Sequence, residues 1–172
     1  MNRKKAKALS AMFVTLAATL LLMVSMPMAH ACSTRQTVSG TYFLTGPPPP
    51  PVIKTIGSNI QIWDLSNGPM AWTGGIVGTG PYGGHWLFLN YGTDNMRMNG
   101  IGLQTLSAVV DGKAGTLKIA EVSWATSSEA DGSWRIICGT GGLANLHGEG
   151  TFTDIDMSMG VYAYTGQIYF SR

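Results

Sequence analysis

The chain has 172 residues, with 11 basic residues against 9 acidic ones and only 12% charged positions, for a formal charge of +2. Four of the basic residues, Arg3, Lys4, Lys5 and Lys7, fall in the first seven positions, so the part from residue 32 onward carries 7 against 9, or −2. No lysine–arginine cluster remains there, which excludes a footprint for nucleic acid and a polybasic membrane patch.

The opening segment reads as a secretory signal. A basic start leads into the apolar run Leu9 to Met26, Pro27 breaks it, and Ala29-His30-Ala31 places small residues where signal peptidase reads them. Residues 1–31 are expected to be removed, giving a secreted, periplasmic or cell-surface protein. The alternative is an uncleaved anchor, because the run is near the length of a membrane span. Of the two cysteines, Cys32 would follow the cleavage point and Cys138 falls in a strand. They could form a disulfide in an oxidising compartment. Alternatively Cys32 carries a lipid, or Cys138 is a buried, inert thiol. The membrane is expected as a partner only through the leader or such a lipid.

Residues 32–37 are polar and read as a flexible segment, and 38–172 as one β domain. All 23 glycines lie after residue 31, among β-branched and aromatic residues, a mixture suited to short strands and tight turns. Val38 to Leu44 is the first strand. A proline-rich loop at 46–51, with five consecutive prolines from Pro47, cannot join a ladder and is expected to be a stiff polyproline II arm. Val52 to Trp63 reads as extended. Met70 to Val77 is a strand that Gly78, Gly80, Pro81 and Gly83-Gly84 should end, with His85 to Asn90 a further short one. Met96 to Val110 holds one long or two short strands, and Asp111-Gly112 marks a tight hairpin because both positions tolerate positive φ.

In Thr116 to Ala125, Leu117 and Ile119 share one phase while Val122 and Trp124 share the other. A bulge near Ala120-Glu121 would bring all four inside. After a polar turn, Ser133 to Cys138 is a strand. Gly139 to Gly150 is irregular, with one helical turn setting Leu143 and Leu146 against the barrel mouth. Thr151 to Ile155 and Val161 to Phe170 complete the sheet. Eight or nine hairpin-connected strands predict an all-β fold, an antiparallel up-and-down β-barrel, with a β-sandwich as the alternative.

The segments Asp111-Gly112-Lys113-Ala114-Gly115-Thr116-Leu117, Gly139 to Gly150 (GTGGLANLHGEG) and Tyr164 to Phe170 (YTGQIYF) resemble an uncharacterised exported family with an allene-oxide-cyclase-like β-barrel, a domain-of-unknown-function class. The resemblance runs mainly over Asp111 to Phe170. It implies the barrel and a short helical turn at the GLANL position. It carries no catalytic residues over, and fold alone does not supply function.

No metal-ligand spacing, nucleophile elbow or P-loop is present, so no metal, no cofactor and no assigned catalytic residue are expected. Glu121 and Glu149 are the carboxylates of interest. Facing a lumen, either would have a raised pKa suited to proton transfer. The plainer expectation pairs Glu121 with Arg135 at the surface. Trp124, Trp134, Tyr162 and Tyr164, with Glu121 and Glu149, are the candidate ligand-binding residues. Trp63, Trp72 and Trp86 are further candidate lumen aromatics, with Met70, Met96 and Met98 at the mouth. A barrel this small is expected to be filled by its own side chains. The functional expectations are a non-catalytic module binding a small apolar molecule, a cyclase or isomerase working by confinement, or a structural, surface-interaction protein.

Overall fold

A computed structural model describes residues 34–171; the leader read over 1–31 and Cys32 lie outside these residues. Nine strands follow in order: β1 (Gln36–Leu44), β2 (Val52–Ile56), β3 (Ile60–Trp72), β4 (Val77–Leu89), β5 (Arg97–Val110), β6 (Lys113–Thr126), β7 (Ala130–Gly139), β8 (Leu146–Asp156) and β9 (Val161–Phe170). Their spatial order is β1-β9-β8-β7-β6-β5-β4-β3-β2, and β1 also pairs with β3, Tyr42 beside Trp72 and Leu44 beside Met70. The sheet is therefore a closed antiparallel barrel, with β2 projecting from it as a hairpin on β3. Closure satisfies the backbone groups that an open sheet would leave along its edges.

Alternation explains most of the wall. From Ile101 to Val110 every even-numbered residue is buried and every odd-numbered one exposed, as a strand with one face inward requires. Asp111 (φ 50°) and Gly112 (φ 72°) make the tight turn into β6 with the two positive φ values expected of it.

Several boundaries differ from the sequence reading: a turn at 57–59 breaks Val52 to Trp63 into β2 and the start of β3, His85 to Leu89 continues β4, and β7 begins at Ala130. The strand expected over Met70 to Val77 is split by a turn at 73–76, and the glycines from Gly78 to Gly84 continue β4 instead of ending it. Their role is steric. A side chain on Gly102 would meet the Tyr82 ring at 2.8 Å, and Gly84, Gly100, Gly132 and Gly166 are likewise covered by Trp86, Trp86, Phe152 and Trp134. The glycines make room for the aromatic rings of the inner wall.

One half of the lumen is solid. Trp72, Ile76, Leu106, Leu117, Ile119, Trp134, Ile136 and Ile168 fill it, each contributing about 1.5–3 kcal/mol by burial. A 3-10 turn at Gly141–Leu143 and the start of β8 place Leu143 and Leu146 as its plug. That plug closes the end opposite the open mouth, not the mouth where the leucines were expected. The other half is not filled, so the expectation of a fully packed barrel holds for only one end.

Candidate functional site

The open half is a cavity of about 270 Å³ between the β1–β2 loop and the packed core. Tyr42, Tyr82, Trp86, Phe88, Phe152 and Tyr162 form its aromatic walls, and Pro48 and Pro51 of the proline segment stand at its mouth. The prolines thus act as a stiff rim over the opening and not as a free arm. On β3 the ladder shifts between Leu65 and Gly68, with Asn67 at φ 58°, and Leu65 also lines the cavity.

The aromatic walls are mutually packed. Tyr42 stacks on Trp72 at 4.8 Å and on Tyr162 at 5.0 Å, with Phe152 edge-on to both tyrosines. Trp63 packs against Phe88 at 4.9 Å, and Tyr82 against Trp86 at 5.6 Å. These separations suit attractive ring contacts that stiffen the walls.

Among the described residues Glu121 is the only carboxylate on this surface, and no lysine, arginine or histidine of theirs lines it. It points inward because β6 keeps its alternation unbroken. The bulge expected at Ala120-Glu121 does not occur, since β5 and β6 stay in register from Thr126 to Lys113. The irregularity falls on β7, opposite Lys118 and Ile119. Trp134, directly across from Glu121 on β7, occupies the lumen at that level. Val122 and Trp124 therefore stay on the outer face, Trp124 at 48% exposure, and Trp124 is corrected from a lumen residue to a surface one.

Glu121 is 4% exposed. Its Oε1 accepts a hydrogen bond from Gln104 Nε2 at 2.5 Å, and Gln104 Oε1 accepts one from Trp72 Nε1 at 2.6 Å. Oε2 makes no hydrogen bond among the described residues yet is not sealed off, and Glu121 borders both this cavity and a second hollow beside it that Tyr82, Gly84 and His85 also line. Burial pushes the Glu121 carboxyl up to about 8, against the opposing effect of the Gln104 hydrogen bond. At neutral pH it is mainly the uncharged acid. Burial and then Glu121 itself raise the phenols of Tyr42 and Tyr82 well above their ordinary value; Tyr162 is raised by the same causes, with Asp154 adding to them.

The remaining candidates separate. Trp134 and Tyr164 belong to the packed half. Trp134 donates to the Thr165 carbonyl at 3.2 Å, while the Tyr164 hydroxyl accepts from Ile76 N and donates to Thr73 O, both at 2.9 Å. Tyr162 lines the cavity with Glu121. Glu149 lies on the outside, where Arg135 Nη2 donates to its Oε2 at 3.0 Å. The surface partner of Arg135 is thus Glu149 and not Glu121, because β7 and β8 set those two residues side by side. Met70 and Met98 reach the cavity and Met96 does not line it.

Cys138 is exposed, which corrects the expectation of a buried thiol; its pairing with Cys32 lies outside the described residues. Asp156 accepts hydrogen bonds from the side chain and backbone of Ser158 and from Met159 N, which hold its carboxyl below the usual range. Among the described residues no three His, Cys, Asp or Glu side chains converge as a metal site would need.

Trp63 and Trp86 line the cavity as expected, whereas Gln104, Tyr42 and Tyr82 were missed as site residues. Gln104 left a signal, since it stands in phase with Leu106, Ala108 and Val110 and so had to be buried and hydrogen-bonded.

No curated protein matches the sequence. Among solved structures, the barrel is similar to a protein of unknown function of the DUF3224 family from Shewanella oneidensis MR-1. The TM-score is 0.57 at 12% identity, over 81% of this chain and 99% of that one, a likeness of fold. The family model for DUF3224, described as a protein of unknown function, matches residues 64–165, well over half of the chain, and the chain belongs to that family.

Proposed function

We propose that this DUF3224 barrel is an exported, non-catalytic binding module that encloses one small, largely apolar molecule. The observation that carries this reading is the aromatic cavity beneath Pro48 and Pro51, with the single carboxyl of Glu121 on its wall. A mostly apolar pocket with one well-placed polar group is the usual form of a small-molecule site. An apolar cavity of about 150 Å³ already takes up benzene, so 270 Å³ suits a ring bearing a short substituent. Export rests on the leader over 1–31, and Cys32 would then begin the mature chain, free to be lipidated or oxidised.

Binding is tested by thermal shift of the purified protein with apolar probes of graded size, from benzene upward. The expected outcome is a stabilisation that grows with probe volume and collapses once the cavity is exceeded. A uniform absence of stabilisation would refute the reading.

A cyclase or isomerase acting by confinement is the second reading, favoured by Glu121. An acid near 8 in a water-poor cavity can lend a proton at neutral pH and take it back. This reading requires that Glu121→Gln abolish turnover while ligand binding persists.

A further inference from the structure

Glu121 lines the cavity with a buried carboxyl group, one oxygen bonded to Gln104 and the other making no hydrogen bond among the described residues and not sealed off. No cationic side chain lines this space. The walls are aromatic rings held in place. Trp86 lies against Gly100 and Gly84, and Tyr82 against Gly102, and both rings line the cavity. Tyr42, Tyr162 and Phe152 complete the enclosure on the opposite side. The negative faces of aromatic rings attract a cation, most strongly when water is excluded. A carboxylate in the same enclosure supplies the opposite charge that burial otherwise withholds.

We propose that the ligand of this cavity is a small organic cation, an alkyl- or aryl-ammonium group seated between the aromatic walls and the Glu121 carboxylate. The inference rests on the reading that the cavity encloses a ligand, and adds its chemical class. Anions are disfavoured by the same surface, which offers a carboxyl group and ring faces. A neutral ligand would use Glu121 as a hydrogen-bond donor and would need it protonated. A cation needs it ionised, so the proton on Glu121 leaves to solvent as the cation enters. The titratable groups that line the cavity with Glu121 are the phenols of Tyr42, Tyr82 and Tyr162, all raised, so they stay neutral while Glu121 titrates, and His85 borders the second hollow beside Glu121.

The test compares phenyltrimethylammonium with its uncharged isostere tert-butylbenzene by calorimetric titration of the purified protein and its Glu121→Gln variant. The cation is expected to bind about tenfold or more tightly than the isostere. Its binding should release close to one proton at neutral pH, read from the dependence of the heat on buffer. Its affinity should rise as pH approaches about 8, while that of tert-butylbenzene does not. Glu121→Gln should erase the preference and the proton release yet keep tert-butylbenzene binding. Equal or weaker binding of the cation, with tert-butylbenzene still bound, overturns the cation proposal and leaves the enclosing cavity standing. Failure of both probes overturns both.

Discussion

Gln104 on β5 holds Glu121 on β6 from the side, its Nε2 donating to Glu121 Oε1 while its own Oε1 takes the indole proton of Trp72. The glutamine is fully buried and makes the layer where the packed half of the barrel meets the cavity.

Glu121→Gln should make the protein more stable, and increasingly so in alkaline solution. The folded-state pKa of about 8 lies above the ordinary 4.5, so the native state binds more protons than the unfolded one between those values. Native stability therefore declines as pH rises from 4.5 toward 8 and levels off above it. The full displacement corresponds to at most about 5 kcal/mol, at roughly 1.4 kcal/mol per pH unit. Urea unfolding across this range should show the slope in the native protein and its loss in the variant.

Gln104→Leu removes both hydrogen bonds of that layer at once. It strands the Trp72 indole N–H and leaves Glu121 Oε1 without its donor, at about 1–3 kcal/mol for each buried orphan. The carboxyl should titrate above its present value of about 8, since the bond being removed is the one that lowers it. Chemical denaturation gives the first quantity, and carbon NMR of labelled glutamate gives the second.

Two inward glycines should respond differently to alanine. A methyl group on Gly166 would strike the Glu149 carbonyl, the Gly150 backbone and the Trp134 ring together. With backbone on one side, the sheet itself must shift, and a loss of about 3 kcal/mol or more is expected. At Gly100 the three nearest atoms all belong to the Trp86 side chain. Trp86 can turn away, so Gly100→Ala should alter probe binding and Trp fluorescence more than it alters the melting temperature.

Tyr164→Phe tests the closed end. Its hydroxyl satisfies Ile76 N and Thr73 O across the turn between β3 and β4. Its removal leaves two backbone groups without that partner and should cost about 1–3 kcal/mol. Amide exchange at Ile76 should accelerate, while probe binding in the remote cavity stays unchanged.

Much of the wall was legible because strand alternation and turn chemistry are local. Val161 to Phe170 and the Asp111-Gly112 hairpin needed only the phase of the apolar residues and the tolerance of positive φ. The β4 glycines were misread for an equally physical reason. In isolation Gly78 to Gly84 signals a break, and only the rings lying over Gly84, and over Gly100 and Gly102 on the next strand, turn glycine into a strand residue. Trp124 lies outside because Leu117 and Ile119 set the inward phase of β6, and its apolar bulk does not override that phase. Tyr42 meets Glu121 only through closure, which no local pattern displays, while Tyr82 reaches it across Gly102 from two strands away.

The boundary set by Trp72, Gln104 and Glu121 has an evolutionary consequence. Below it, closely fitted side chains hold the barrel together; above it, Trp86, Phe88 and Met98 border the cavity and bear less of that duty than the buried Tyr42 and Phe152. Exchanges among the upper rings can retune what the barrel accepts without placing the whole fold at risk. A single stable scaffold of this kind can give rise to relatives with quite different ligands.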